Sequence, residues 1–451
     1  MTSPVFRVLL ALPLLFGSAL LPAATTLSLH GSNTIGERLA PALLTAWLAE
    51  VGCSTPQRTE PALDVIRLAA QCAGEAVDIE VQAHGTSTGF AALKAGQADL
   101  WMASRPVAAT EMAQLAEAIA LDRPEREHVI ALDGLSVIVH PELPLKALDI
   151  GQLRAVFSGQ IRNWSALGGP DLPISLHARD DQSGTWDSFR SMVLGAAALG
   201  PAARRYESST ALVASVAAES GAIGFVGLVA LDGKARALAI ADGGAAPLPP
   251  SAALVAVEDY PLTRRLYLYA RLDLSVFGLR FLDFVQSRAG QAVVARSGLV
   301  PMDVQTVALA PAADAQPDYA EVVAGAQRLG LNFRFSEQTA TLDSRAERDL
   351  ERLVAYMQHP ERRGHRLRLA GFADSREMPY AALALSTDRA DYIASRLNRA
   401  GIAVDKVRGL GQWLPVADNG STNGRARNRR VEVWLAAPGG GRESGGARAG
   451  G

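Results

Sequence analysis

Cysteine is nearly absent from this 451-residue chain, its bulk charge is almost balanced, and it has one long apolar run. Each scarcity excludes something. The two cysteines, Cys53 and Cys72, stand in no metal-ligand or catalytic motif, so neither a metal centre nor thiol catalysis is expected, and no cofactor is called for. A formal net charge of −2 gives no electrostatic case for nucleic acid or for a membrane surface. The apolar run, residues 5–23, follows a single basic residue, Arg7, is interrupted by Pro13 and Pro22, and ends in small residues at Ala23 and Ala24. Its core is short for a membrane span, so residues 1–24 read as a secretory signal peptide cut near Ala24. No cysteine sits at the cut, which argues against a lipoprotein. In an oxidising compartment an even pair of cysteines is expected to form a disulfide, worth about 3 kcal/mol for a loop of this length. The alternative is two unpaired buried thiols.

What is present is a globular chain, 49% hydrophobic and long enough for two or three domains. Residues 307–319 are rich in alanine and proline, and the stretch from Pro438 is rich in glycine. We therefore expect a domain at 25–306, a flexible linker at 307–327, a smaller domain at 328–437 and a disordered tail at 438–451. Strand and helix patterns alternate in the first domain: strands at 26–30, 78–83, 135–140 and 174–177, helices at 35–50 and 90–95. The second domain repeats this with strands at 331–335, 367–372, 404–410 and 431–435, and helices at 344–358 and 381–400. Leu350, Leu353, Val354 and Met357 form the apolar stripe of the 344–358 helix. Both domains read as α/β, with ligands expected where strands give way to helices.

Residues 177–189 carry the densest chemistry. Arg179 stands four residues before Ser183-Gly184-Thr185, which opens a helix expected over 186–194. Free backbone N–H groups, two hydroxyls and a fixed positive charge in one small volume suit an anion. The competing explanation is an ordinary Ser/Thr helix cap with an arginine nearby. Three further turns have the same character: Gly31-Ser32-Asn33-Thr34, Gly85-Thr86-Ser87-Thr88-Gly89 and Ala103-Ser104-Arg105-Pro106.

Together with Phe157-Ser158-Gly159-Gln160-Ile161-Arg162-Asn163-Trp164 and Gly221-Ala222-Ile223-Gly224-Phe225-Val226, the order of these segments resembles the PstS-type phosphate-binding periplasmic proteins of ABC transporters. The resemblance spans about residues 27–305 and implies a two-lobed (class II) binding-protein fold. It implies that Ser32, Thr34, Ser87, Ser104, Arg105, Arg179, Ser183, Gly184 and Thr185 surround phosphate or a similar oxyanion, with an ABC permease as a partner. Many members carry an aspartate in the third segment, where Ser104-Arg105 stands here. Two arginines would then neutralise the anion more strongly, and Asp180 or Asp181 would have to supply any proton acceptor.

Gly85-Thr86-Ser87-Thr88-Gly89 also matches a nucleophile elbow, with Asp149 and His177 in the order of a hydrolase triad. No His-Gly-Gly-Gly oxyanion motif precedes it. Binding without catalysis is the preferred expectation.

In the second domain, Asp374, then Leu385-Ser386 with Arg389 and Ala390, and Asn428-Arg429-Arg430-Val431-Glu432 resemble the OmpA-like peptidoglycan-binding domain. The resemblance implies that Asp374 holds the ammonium and Arg389 the carboxylate of a diaminopimelate side chain, while Asn428 and Arg429 brace the loop or touch the peptide. One group of each sign at fixed separation suits a zwitterionic end. Glu377 departs from the usual glycine, and Tyr380-Ala381-Ala382 from the usual Tyr-Asn. The chain would sit in the periplasm on the peptidoglycan, for phosphate uptake, scavenging or sensing. A wall-anchored structural or adhesion protein without a ligand is the other non-enzymatic reading.

Overall fold

Leu27 and Leu29, on one face of the first strand, are fully buried, and Ser28 between them on the other face is half-buried. The computed structural model describes residues 27–115, 121, 125–181, 183–311, 316–335, 342, 344–374 and 378–438. In it Leu27–Gly31 runs parallel to Glu75–Gln82 on one side and Leu100–Ala103 on the other, within an eleven-stranded sheet. The expected signal peptide and nearly all of the expected tail lie outside the described residues.

One strand organises the first domain. Glu127–Val139 is 13 residues long. Its first half pairs antiparallel with Thr263–Ala270, and its second half with Ala222–Gly227. The change of partner falls at Asp133 to Leu135, so one strand belongs to two lobes. The chain crosses between them here and again near Leu262–Thr263. Leu27, Leu43, Trp47 and Phe281 lie in the core of the first lobe, and Phe157, Trp164, Phe189 and Phe225 in that of the second. The expectation of a short strand at 135–140 is thus corrected: the apolar residues on both sides of Asp133-Gly134 continue one strand through the lobe boundary.

Other differences are local. The 35–50 helix opens with a π-turn, Ile35–Leu39, before Ala40–Glu50. The helix expected at 186–194 starts at Gly184 and ends in a second π-turn, Arg190–Leu194. An unanticipated hairpin, Gln57–Ala62 with Val65–Cys72, extends the sheet. Cys53 and Cys72 form a disulfide that closes this hairpin against the preceding helix.

The second domain is a five-stranded sheet in the order Thr306–Val307, Ala326–Arg334, Arg430–Ala436, Arg366–Gly371, Val404–Gly409. Helices Ser344–Gln358 and Pro379–Arg399 cover one face, through Leu353, Ile393 and Leu397. On the other face a further helix, Pro317–Val323, buries Tyr319 against Phe372 and Trp434. The flexible linker expected at 307–327 therefore needs correction. Its ends are an edge strand and a packed helix, because Tyr319, Val322 and Val323 give an apolar face that the low overall hydrophobicity of the stretch concealed.

This domain packs on both lobes. Arg334 meets Asp259 at 3.2 Å and Arg345 meets Glu258 at 2.5 Å, both carboxylates belonging to the second lobe. Asn332 donates to Val257 O at 2.8 Å, and Arg427 pairs with Asp242 at 3.0 Å. Toward the first lobe, Arg348 donates to Glu127 O and Arg352 to the Gln286 side chain. Although burial opposes ionisation, Arg265, Arg345 and Arg334 hold the Glu258 carboxyl far below its usual range. Burial draws Arg334 down to about 10, with Asp259 and Glu258 opposing the shift.

Candidate functional site

The motifs that look most like a signature are first of all packed together. Phe189, one turn into the helix opened by Gly184, stacks on Phe225 with ring centroids 3.8 Å apart. Phe157 contacts both rings edge-on, at 4.6 and 5.6 Å. The indole of Trp164 donates to Gly221 O at 3.0 Å. Each aromatic pair is worth about 0.5–1.5 kcal/mol beyond area burial. Three separated segments thus fix the start of one helix. Ser183 caps it by accepting from Thr185 N.

The four turns converge across the lobes. Ser32 N donates to Met102 O at 2.9 Å and Gly85 N to Gly31 O at 2.8 Å, tying the first three together. Gly31 has φ +136°, and a Cβ there would lie 2.1 Å from Met102 O, so only glycine fits. Thr86 Oγ1 and Ser104 Oγ are 3.0 Å apart. From the opposite lobe, Gly184 presses on Thr34: a Cβ on Gly184 would lie 2.1 Å from Thr34 Oγ1. The Ser32 hydroxyl is buried without a hydrogen-bond partner among the described residues, an arrangement that costs stability unless something occupies it.

Charges frame this junction. Arg179 donates to Tyr206 O, Ser209 Oγ and Glu207 O at 3.2, 2.7 and 2.7 Å. Burial lowers its pKa, with Asp180 and Glu37 opposing, so its guanidinium feels a carboxylate of the other lobe. Arg105 forks onto Glu111 at 2.8 and 2.7 Å and reaches Ser87 Oγ only at 3.4 Å. The second arginine was expected to strengthen neutralisation of an anion. Instead its charge is met by Glu111. Asp181 pairs with Arg205 at 2.5 Å, while Asp180 Oδ1 is buried without a partner among the described residues.

Arg264 was not anticipated. Its guanidinium donates to Asp133 at 3.0 and 2.6 Å, to Gly184 O at 2.7 Å and to Thr34 Oγ1 at 3.1 Å. It therefore touches both lobes and their crossing strand at once. Asp133 is the one charge within Val129–Val139, but Arg264 stands beside Arg265 and carries no comparable mark.

The hydrolase triad is not assembled. Asp149 caps the Ile150–Phe157 helix by accepting from Gln152 N at 2.8 Å. His177 is fully buried, 2.9 Å from the Tyr206 hydroxyl and 3.3 Å from Glu219. Ser87 is exposed and meets neither.

In the second domain Arg429 grips Asp374 at 2.8 Å, both buried. Arg389 is buried with its guanidinium 5.6 Å from the Phe335 ring. Asn428 accepts from Val416 N and Ala417 N and donates to Ala417 O and Asn419 Oδ1, bracing the 416–419 loop. Glu377 lies outside the described residues. A cavity of about 1870 Å³ is walled by Ser87, Arg105 and Arg264 from the cleft and by Phe335, Arg427 and Arg429 from the second domain. Ser32, Thr34, Arg179, Ser183, Gly184 and Thr185 lie outside its walls.

A two-lobed frame crossed twice, with hydroxyl-rich turns meeting at the crossing, defines a solute-binding protein. The PBP superfamily domain matches residues 55–289, and the chain belongs to that superfamily. Within it the first domain is PstS-like, and an OmpA family domain follows at 334–429. The phosphate-binding protein PstS of Bacillus subtilis is 32% identical over 228 residues, covering 50% of this chain and 71% of that protein. PstS of Pseudomonas aeruginosa is 29% identical over 243 residues, covering 50% and 75%. Among solved structures, an ABC-type phosphate transport receptor from Vibrio cholerae aligns over 61% of this chain and 99% of its own, at 22% identity and a TM-score of 0.49.

Proposed function

We propose that the first domain captures inorganic phosphate, or a closely similar oxyanion, between its lobes while the OmpA family domain holds the chain on peptidoglycan in the periplasm. The observation that carries this reading is the contact of Thr34 with Gly184 across the lobe boundary, in the same turn as the unpartnered buried hydroxyl of Ser32. Ser183 and Thr185 flank that contact, and Arg179 adds positive charge opposite Glu37. No bond is made or broken: the anion docks on one lobe and the other closes over it. Delivery to an ABC permease, scavenging and sensing all use this same capture step, and tethering favours the last two. On the wall side, Asp374 and Arg389 take the two ends of a diaminopimelate group, with Arg429 tuning Asp374.

Calorimetric titration of the full chain with phosphate, sulfate and arsenate tests the site. Phosphate binds, and Arg179→Ala weakens it at least tenfold, the loss of about 1.5–3 kcal/mol expected for a charge-assisted contact. A desalted protein that takes up none of the three anions ends the reading.

A further inference from the structure

The second domain does more than follow the first: it holds both lobes. Its grip on the second lobe is ionic and buried. Arg345 and Arg334 converge on Glu258 and Asp259, at 2.5 and 3.2 Å, and Arg427 takes Asp242 at 3.0 Å. The grip on the first lobe is separate. There Arg348 and Arg352, on the Ser344–Gln358 helix, reach Glu127 O and the Gln286 side chain. The two sets lie on opposite sides of the lobe crossing at 133–134 and 262–263. Glu258 is also bonded to Arg265 at 2.6 Å. The preceding residue, Arg264, joins Thr34 to Gly184. The ionic cluster and the cleft therefore meet on consecutive residues of the Thr263–Ala270 strand, where the chain re-enters the first lobe.

We propose that the docked C-terminal domain is a clamp that holds the two lobes closed, so that anion release requires one of its two grips to let go. The geometry leaves little alternative. Opening about the crossing moves Glu127 and Gln286 relative to Glu258 and Asp259, and one rigid five-stranded sheet with its helices cannot follow both. The clamp makes anion exchange depend on where the second domain is, and that domain is the one resembling a wall-binding module. This inference rests on the phosphate reading above.

The test measures phosphate dissociation by stopped flow from the full chain. One variant, R348A, cuts part of the first-lobe grip at a half-buried position. Arg352 is kept because its Asp349 partner also holds Arg345 of the buried cluster. A second, D242N/R427Q, cuts part of the second-lobe grip. Each should release phosphate at least tenfold faster than the unaltered chain. Hydrogen exchange should rise at 133–135 and 262–264 in both. Dissociation rates within twofold of the unaltered chain for both variants overturn the clamp while leaving phosphate binding intact. Failure of the unaltered chain to bind phosphate removes the site reading and the clamp with it.

Discussion

Replacing Asp133 with asparagine isolates the group that stitches the lobes together. The Arg264–Asp133 pair is almost wholly enclosed, with side chains 5% and 7% exposed, and the guanidinium also serves Gly184 O and Thr34 Oγ1. The amide would keep the shape and one hydrogen bond but remove the charge. Breaking a buried pair from one side costs about 3–5 kcal/mol because the remaining charge stays desolvated. Asparagine still accepts one bond, so the lower end applies, about 3 kcal/mol. In a domain of this size that is a fall in Tm of roughly 6–12 °C. Urea unfolding and calorimetry of Asp133→Leu, Arg264→Met and the D133L/R264M pair give a double-mutant cycle, with Asp133→Asn measured beside it. The pair should be more stable than either single variant, since no unpaired charge remains. Phosphate affinity of Asp133→Asn should rise, because the cleft gains a net positive charge. A loss below about 1 kcal/mol together with additive single effects would refute the reasoning.

Two further outcomes follow from buried groups. Burial, aided by Arg348, lowers His128 to about 3, so between pH 6.5 and 3 the unfolded chain binds a proton that the folded chain refuses. Stability is therefore complete above pH 6.5 and falls on acidification; His128→Gln should remove about 2 kcal/mol of the loss between pH 7 and pH 5, read from urea midpoints. Reducing the Cys53–Cys72 bond, which spans 19 residues, should lower unfolding free energy by about 3 kcal/mol while leaving phosphate affinity within twofold, because the hairpin lies away from the cleft.

The sequence made the alternation of strands and helices legible, and with it both folds and the four turns. Turn chemistry is local, so Ser183 as a helix cap follows from the residue types of its turn. The lobe crossing was not legible, because Asp133-Gly134, which marks the change of partner, reads in sequence equally as a turn or a bulge. Arg264 and Glu111 were missed for a related reason: each acts on a residue outside its own local pattern, and that pattern carries no trace of it. The hairpin at 57–72 escaped because its outer strand is exposed throughout and lacks an alternating apolar face. The grip between the domains escaped because Glu258, Asp259, Arg334 and Arg345 look in sequence like solvated surface charges.

The edge strand Thr306–Val307 belongs to the sheet of the second domain although it precedes the expected junction, and it is followed by a helix whose Tyr319 donates to Glu432 at 2.9 Å. Anyone severing the chain at 320 or 328 would cut through or discard that helix and strip a border from the sheet, exposing the backbone of Ala326–Arg334 to pairing with strangers. Clumping of such a fragment would then report the position of the scissors and nothing about how the intact molecule meets the wall.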